Sequence, residues 1–448
     1  MAMDGKELVE KLAKLSQVQS IKDIPQLTHA LFPGTHCPLM GAAMAVGGIK
    51  DSLIVVVGTD ECTYYTKSMT IHSEKFGGID GRCVSVVLDD HDVTFGSAEK
   101  VQESFKEIIE EYRPQCVFLV TTCVIEIIGD DFDAISEGLS ELYGIPVLPV
   151  HTEHFKCEDH LPGLERTITV CAEMMKSCDS DNSVNLLGQR MGDFATTELY
   201  AMLQKAGVKI GLQLPCGCSV DDIKNAAAAK VNIVVNDIAL PLAQKMQEKF
   251  GIPYVYFNKF VIPEKIYEAY KNLFGYLELE LPGELEGLYQ NAREKIEKNK
   301  GELEGITYIY GNTPYAVFEM NCFLSSLGMV PQVIQTNRYT EADEPYAKEI
   351  LQYTDPYVCK AANIAPLQYV YDVLSPYLYL GHEFGNRLRQ KGIAIVHSDR
   401  ASGMLGFEVT GYLLQQLVKS VREAKEYRKE LGLSLIHISE PTRRSYIS

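Results

Sequence analysis

The chain has 448 residues, a formal net charge of −18, 46% hydrophobic residues and 23% charged residues. That length exceeds what one core organises, so two or three domains are expected. The composition is that of an ordinary globular protein, and the acidic balance argues against a binder of the nucleic-acid phosphate backbone.

In chain order, Met1 to Leu15 reads as an amphipathic helix without the apolar centre of a signal peptide. No later apolar run approaches the roughly 18 residues of a membrane helix. A cytoplasmic protein with no membrane and no nucleic-acid partner is therefore expected. In that reducing setting the 12 cysteines are thiols or metal ligands rather than a disulfide framework.

Short Val/Ile-rich runs then alternate with helical stretches. Strands are expected at Ser52–Val57, Cys83–Leu88, Cys116–Thr121 and Pro146–Val150, with helices at Ser97–Tyr112 and Phe132–Tyr143. The polar stretch Ser177–Asn182 reads as a linker. Beyond it, strands are expected at Val184–Leu187, Lys209–Leu214, Val231–Val235 and Tyr254–Phe257, and a helix at Ala195–Ala206. A long charged helix, Leu281–Lys300, precedes strands at Thr307–Tyr310, Gln332–Gln335, Leu378–Gly381 and Ile393–His397 and a helix at Glu408–Glu430. This order predicts an α/β fold with parallel sheets covered on both faces, in three doubly wound units at 1–176, 183–300 and 301–432.

Residues 433–448 stand apart. Their opening, Leu433-Ser434-Leu435-Ile436-His437-Ile438-Ser439, is similar to the conceptual translation of a transposase sequencing adapter. The segment is expected to be foreign to the protein, with the native chain cut near Leu431.

Three cysteines occupy positions where a turn or strand end lifts a thiolate out of an apolar core. They are Cys37 in Cys37-Pro38-Leu39-Met40-Gly41, Cys62 in Gly58-Thr59-Asp60-Glu61-Cys62, and Cys123 in Thr121-Thr122-Cys123-Val124-Ile125-Glu126-Ile127-Ile128-Gly129-Asp130-Asp131. Cys62 and Cys123 directly follow expected strands, and ligands of doubly wound sheets bind at the carboxyl ends of strands. Thiolates are the ligands of iron–sulfur clusters. The competing reading is that a free cysteine packs as a small hydrophobe, and no Cys-x-x-C pair occurs in the chain.

In order and wording these motifs resemble those of the component 1 proteins of the nitrogenase family, over roughly Pro25 to Glu430, with the Thr-Thr-Cys opening closer to the β-type subunit. The resemblance implies three Rossmann-like units around a central cavity. It also implies an iron–sulfur cluster, [4Fe-4S] or P-cluster-like, held by Cys37, Cys62 and Cys123 at a subunit interface. The partners it implies are an ATP-hydrolysing iron protein and either a second copy or an α-type subunit. In the family's position after the fourth strand, Phe155-Lys156-Cys157-Glu158 offers a candidate further ligand, Cys157 or Glu158.

The chain departs from the nitrogenase pattern at both anchors of the active-site metal cofactor. Asn236 stands at the cysteine position and Leu405 at the histidine position. No molybdenum–iron cofactor anchored by this chain is expected, because an amide is a poor substitute for thiolate on iron. The expected function is then the electron-transfer subunit of a two-component reductase acting on a substrate other than dinitrogen, a tetrapyrrole or another organic molecule. The alternative is a scaffold on which a nitrogenase-type metal cofactor is assembled without turnover.

Other constellations are weaker. His151, His154, Cys157, Asp159 and His160 crowd one loop and read equally as surface residues. Cys216-Gly217-Cys218 is half a metal site at most, and His72 reads as a solvated helix residue. Gly311-Asn312-Thr313-Pro314 suits an anion at a helix start, and Arg400 could hold a carboxylate. No Walker A loop occurs in the sequence, so any ATP hydrolysis is expected from a partner.

Overall fold

The computed structural model describes residues 5–27, 36–71, 79, 81–157, 159–190, 192–311, 313, 316–361 and 364–433. Glu158, His72, Asn312, Pro314 and the tail 434–448 lie outside them. The chain divides into two compact units: Thr35–Lys259 with Ile266–Gly283, and Met1–Gly34 with Phe260–Lys265 and Glu284–Ser448.

The unit containing the three cysteines holds two four-stranded parallel sheets. In the first, strands Ser52–Gly58 (β1), Cys83–Val87 (β2), Cys116–Thr121 (β3) and Val147–Val150 (β4) lie in the order β2-β1-β3-β4. β1 and β3 are buried throughout and largely apolar because both faces are covered. Alternate residues divide between two cores. Ile54, Val56, Phe118 and Val120 pack in one with helices Pro38–Gly47 (α1) and Leu161–Val170, and Val55, Val57, Val117 and Leu119 pack in the other with Phe105, Ile108 and Leu139.

The second sheet, of Val184–Gln189 (β5), Ile210–Pro215 (β6), Val231–Val234 (β7) and Tyr254–Tyr256 (β8), runs β8-β7-β5-β6, also parallel. Its Leu187, Leu214 and Val234 join the α1 core, so the two sheets share one apolar interior. Buried Asn185 donates to the Ala226 carbonyl and to Asn232 Oδ1, both at 2.8 Å, which satisfies its amide inside the sheet.

The other unit carries Thr307–Tyr310 (β9), Val330–Gln335 (β10), Tyr357–Cys359 (β11), Leu378–Leu380 (β12) and Ala394–Val396 (β13), in the order β11-β10-β9-β12-β13 and parallel. The two-residue strand Ala13–Lys14 adds to β11 antiparallel. The grouping thus differs from the expected division at both ends. The N-terminal segment was assigned to the first unit by position in the chain, whereas its strand pairs with the third sheet. The expected helix over Met1–Leu15 is confined, among described residues, to Gly5–Glu10, because the chain must extend by Ala13 to pair with β11. The first two expected units form one body, since α1 and Leu161–Val170 bury a face against each sheet. Among the described residues no helix is long and apolar enough to cross a membrane.

Candidate metal centre

The order β2-β1-β3-β4 reverses between β1 and β3, which opens a crevice at their carboxyl ends. β1 runs directly into helix Asp60–Ile71 (α2), and β3 into the six-residue helix Cys123–Ile128 (α3). Cys62 therefore sits in the first turn of α2, Cys123 opens α3, and Cys37 is the residue capping the start of α1. Each thiol stands at a helix N-terminus, where free N–H groups and the helix dipole favour negative charge.

The side chains around Cys123 show why the motif reads as it does. Thr122 spends its hydroxyl on the Val57 carbonyl of β1 at 2.9 Å instead of capping α3. That contact requires glycine at position 58, where a Cβ would lie 2.2 Å from Thr122 Oγ1. Glu126 accepts from the Thr121 hydroxyl at 3.0 Å, the Thr152 hydroxyl at 2.9 Å, the His154 N–H at 3.0 Å and the Glu153 N–H. It thereby staples the segment after β4 to the crevice. Gly129 ends α3 in the left-handed region at φ 81°. Asp130 takes the N–H and hydroxyl of Ser97 at 2.7 and 2.6 Å, and Asp131 caps helix Phe132–Tyr143 through the Ala134 N–H at 3.0 Å. Glu126→Gln is expected to lower stability by about 2 kcal/mol, because an amide NH2 would face donors that now meet a carboxylate. A denaturant titration of the full chain reads that loss.

Cys123 is the motif residue with no such duty. It is half-buried. Burial, and then the Cys62 thiol, push its thiol upward; the N–H groups of Val124 and Cys123 oppose this, and Cys37 pushes upward again. Cys62 and Cys37 thus both lie within electrostatic reach of Cys123. Thr59 Oγ1 reaches Cys62 Sγ at 3.4 Å. Ionised together, thiols placed this way would repel, and a bound cation would reverse that balance by taking their charge. The donor set fits an iron–sulfur cluster.

Cys37 is placed by close helix packing. A Cβ on Gly163 would lie 1.8 Å from the Pro38 carbonyl oxygen, and one on Gly41 1.9 Å from the His160 carbonyl oxygen. Glycine at both positions lets α1 and helix Leu161–Val170 (α4) touch backbone to backbone.

The crowded loop after β4 does not converge. His151 pairs with Asp133 at 3.1 Å, and Glu153 with Lys156 and Arg166. Cys157 donates to the Thr152 carbonyl at 3.6 Å and receives Arg166 Nη1 at 3.5 Å, and it is absent from the groups that act on Cys123. His160 precedes α4, its imidazole depressed first by burial. Of the Cys-x-Cys pair, Cys218 lies in the core with its thiol pushed up to about 12, chiefly by burial, while Cys216 donates to the Arg190 carbonyl at 3.3 Å. Gly311 packs on Tyr379, whose hydroxyl would lie 2.3 Å from a Cβ there, and the next helix opens only at Val317. Arg400 lies in a short 3-10 helix with its neighbour Asp399, which faces His382 at 3.4 Å.

Both missing anchor positions have structural duties. Asn236 caps the turn after β7 by accepting the Ile238 N–H at 3.2 Å, and Leu405 is buried. Arg190 and Lys259, just past the ends of β5 and β8, carry charge that no motif in the sequence marks. The available signal is that Arg190 directly follows a strand and Lys259 lies three residues past the end of another.

A family model described as nitrogenase component 1 type oxidoreductase matches residues 37–422. The nitrogenase iron-molybdenum cofactor biosynthesis protein NifE of Clostridium pasteurianum is 31% identical over 224 residues, 49% of this chain and 49% of that protein. The nitrogenase molybdenum-iron protein alpha chain of Methanosarcina barkeri is 24% identical over 330 residues, 70% of this chain and 62% of that one. The chain spans about half the length of the first and under two thirds of the second. A solved chain of nitrogenase Cp1 at pH 6.5 shares the fold with a TM-score of 0.76, 15% identity, and coverage of 90% of this chain and 95% of that chain. With an alpha chain among these relatives, the Thr-Thr-Cys wording does not by itself assign a subunit type.

Proposed function

Because this chain belongs to the nitrogenase component 1 type oxidoreductase family, we propose that it is a scaffold subunit on which a nitrogenase-type metal cofactor is assembled and passed on. The observation that carries this reading is the gathering of Cys37, Cys62 and Cys123 at three helix starts, in a chain whose two cofactor-anchor positions serve the fold instead. A relative named for cofactor biosynthesis supports it over the reductase reading.

Cys37, Cys62 and Cys123 would hold an iron–sulfur cluster, which supplies one-electron transfer when bound. The elements around them expose apolar side chains: Tyr64 at 66%, Ile127 at 72% and Phe155 at 69%. Such a patch suits a covering chain, a second copy or an α-type subunit, from which a further ligand would come. Cys157, engaged by Thr152 and Arg166, and Glu158 are reserve candidates within this chain. No Walker A loop is present, so ATP-dependent electron delivery would fall to a separate iron protein.

The test is transfer. Anaerobically purified protein, loaded with iron and sulfide, is incubated with a cofactor-free nitrogenase component 1, and iron is followed in both after separation. The expected result is iron moving to the acceptor with no ATP-dependent consumption of an organic substrate. Iron that stays in place, with substrate reduction requiring an iron protein, would establish the reductase instead.

A further inference from the structure

Among the described residues, one sulfur of the Cys37, Cys62 and Cys123 set receives a side-chain hydrogen bond. The Thr59 hydroxyl donates to Cys62 Sγ at 3.4 Å. The Cys123 sulfur is approached instead by the N–H groups of Val124 and of Cys123 itself, which the backbone supplies whatever the side chains are. The contact at Cys62 is therefore a choice made by the sequence.

The surrounding chain holds Thr59 in place. Gly58 is fixed from both sides: its carbonyl accepts the Leu88 N–H just past β2 at 3.0 Å, and a Cβ on it would lie 2.2 Å from Thr122 Oγ1 after β3. Thr59 is the one residue between the end of β1 and the start of α2, so a strand and a helix set its backbone. A threonine in that position ordinarily accepts an N–H from the first helical turn. Here the hydroxyl meets a sulfur instead. Branching at Cβ restricts χ1, so little rotamer freedom is lost in aiming it. Thr63, on the other side of Cys62, is only 6% exposed and shares a hydrogen bond with Ser85 Oγ at 2.8 Å, which serves the fold.

A hydroxyl on a neutral thiol is a weak contact. On a sulfur that carries negative charge the bond is charge-assisted and roughly twice as strong. Hydrogen bonds to the sulfurs are among the factors that set the potential of an iron–sulfur cluster. An added electron makes those sulfurs more negative, so a donor stabilises the reduced form more than the oxidised one. Filling the turn alone would be done equally well by valine, which has the same shape and no hydroxyl.

We propose that Thr59 is a positioning residue, which through its hydroxyl holds Cys62 Sγ in its ligand position and raises the reduction potential of an iron–sulfur cluster bound there. This rests on the cluster reading of Cys37, Cys62 and Cys123 and deepens it, by naming a residue outside the ligand set that governs how readily the site accepts an electron. One electron enters from an external low-potential donor. The hydroxyl keeps its proton, and no bond to Thr59 forms or breaks.

The experiment uses the full chain, reconstituted anaerobically with iron and sulfide, as wild type, Thr59→Val, Thr59→Ser, Thr63→Val and Cys62→Ala. Iron and sulfide content, the unfolding midpoint and a dithionite titration followed by electron paramagnetic resonance are read on each. Thr59→Val is expected to keep the wild-type unfolding midpoint and to shift the reduction equilibrium about tenfold toward the oxidised form, about 59 mV for one electron. Thr59→Ser, which restores the hydroxyl, is expected to return the potential to that of wild type. Thr63→Val is expected to lower the unfolding midpoint and leave the potential alone. A cluster lost from a stably folded Thr59→Val and regained in Thr59→Ser would also support the proposal, through the hold on Cys62. A full cluster in Thr59→Val at the wild-type potential would overturn it, and so would a Thr59→Ser protein shifted as far as Thr59→Val. Failure of the cluster reading itself looks different: wild type would then hold no more iron and sulfide than Cys62→Ala, and the role of Thr59 would fall with it.

Discussion

Replacing Cys123 with alanine is expected to strip the anaerobically prepared protein of iron and sulfide, while the thermal midpoint of the apo-protein stays within about 3 °C of wild type. Every structural duty of the Thr-Thr-Cys segment belongs to a neighbour. Thr122 holds β1, Glu126 holds the segment after β4, Asp130 holds Ser97 and Asp131 caps helix Phe132–Tyr143. The half-buried thiol is left for a ligand. Cys116 is the control, because it begins β3 fully buried with its thiol pushed up to about 12 by burial. Cys116→Ala should do the opposite, costing about 1–2 kcal/mol through lost packing and keeping the iron. Iron and sulfide analysis with a reduced-state electron paramagnetic resonance spectrum reads the first effect, and denaturant unfolding the second. Full iron content in Cys123→Ala would remove that residue from the ligand set.

Much of this architecture could be read from residue patterns, and the exceptions have physical causes. Cys116–Thr121, Phe132–Tyr143, Thr307–Tyr310 and Glu408–Glu430 fall at their expected bounds. Each combines a continuous apolar run or a 3.6-residue periodicity with a clear stop. Tyr357–Cys359 was not foreseen, since three residues carry no period and become a strand only through β10 and Ala13–Lys14. The same tertiary pairing joins the N-terminal segment to the third sheet. At the site, the wording around Cys62 and Cys123 points to strand ends, and the strand order reverses at those two strands. What the wording could not show is the division of labour inside it. The His151–His160 loop looks like the richest ligand source in the chain, yet Asp133, Arg166 and Lys156 have already claimed His151, Glu153 and Cys157. Spacing along a loop says nothing of which way its side chains turn. Arg190 and Lys259 are isolated in sequence, and only the sheet brings them to one edge.

Gly163→Ala is expected to be the most damaging single methyl in the cysteine unit. Its Cβ would meet the Pro38 carbonyl oxygen at 1.8 Å, a backbone atom that no rotamer change can move aside. The only relief is to drive α4 and α1 apart, and the reciprocal contact of Gly41 with the His160 carbonyl would open with them. Overpacking of this kind costs about 3 kcal/mol or more when the obstacle is backbone. The consequence reaches the candidate metal centre, because Pro38 follows Cys37 directly and moves with it. The variant should therefore lose stability in denaturant unfolding and also bind iron poorly with all three cysteines intact, whereas Cys37→Ala loses the iron alone. Equal iron content in Gly163→Ala and wild type, together with a lowered unfolding midpoint, would mean that Cys37 is positioned by something other than the glycine-to-backbone contact between these helices.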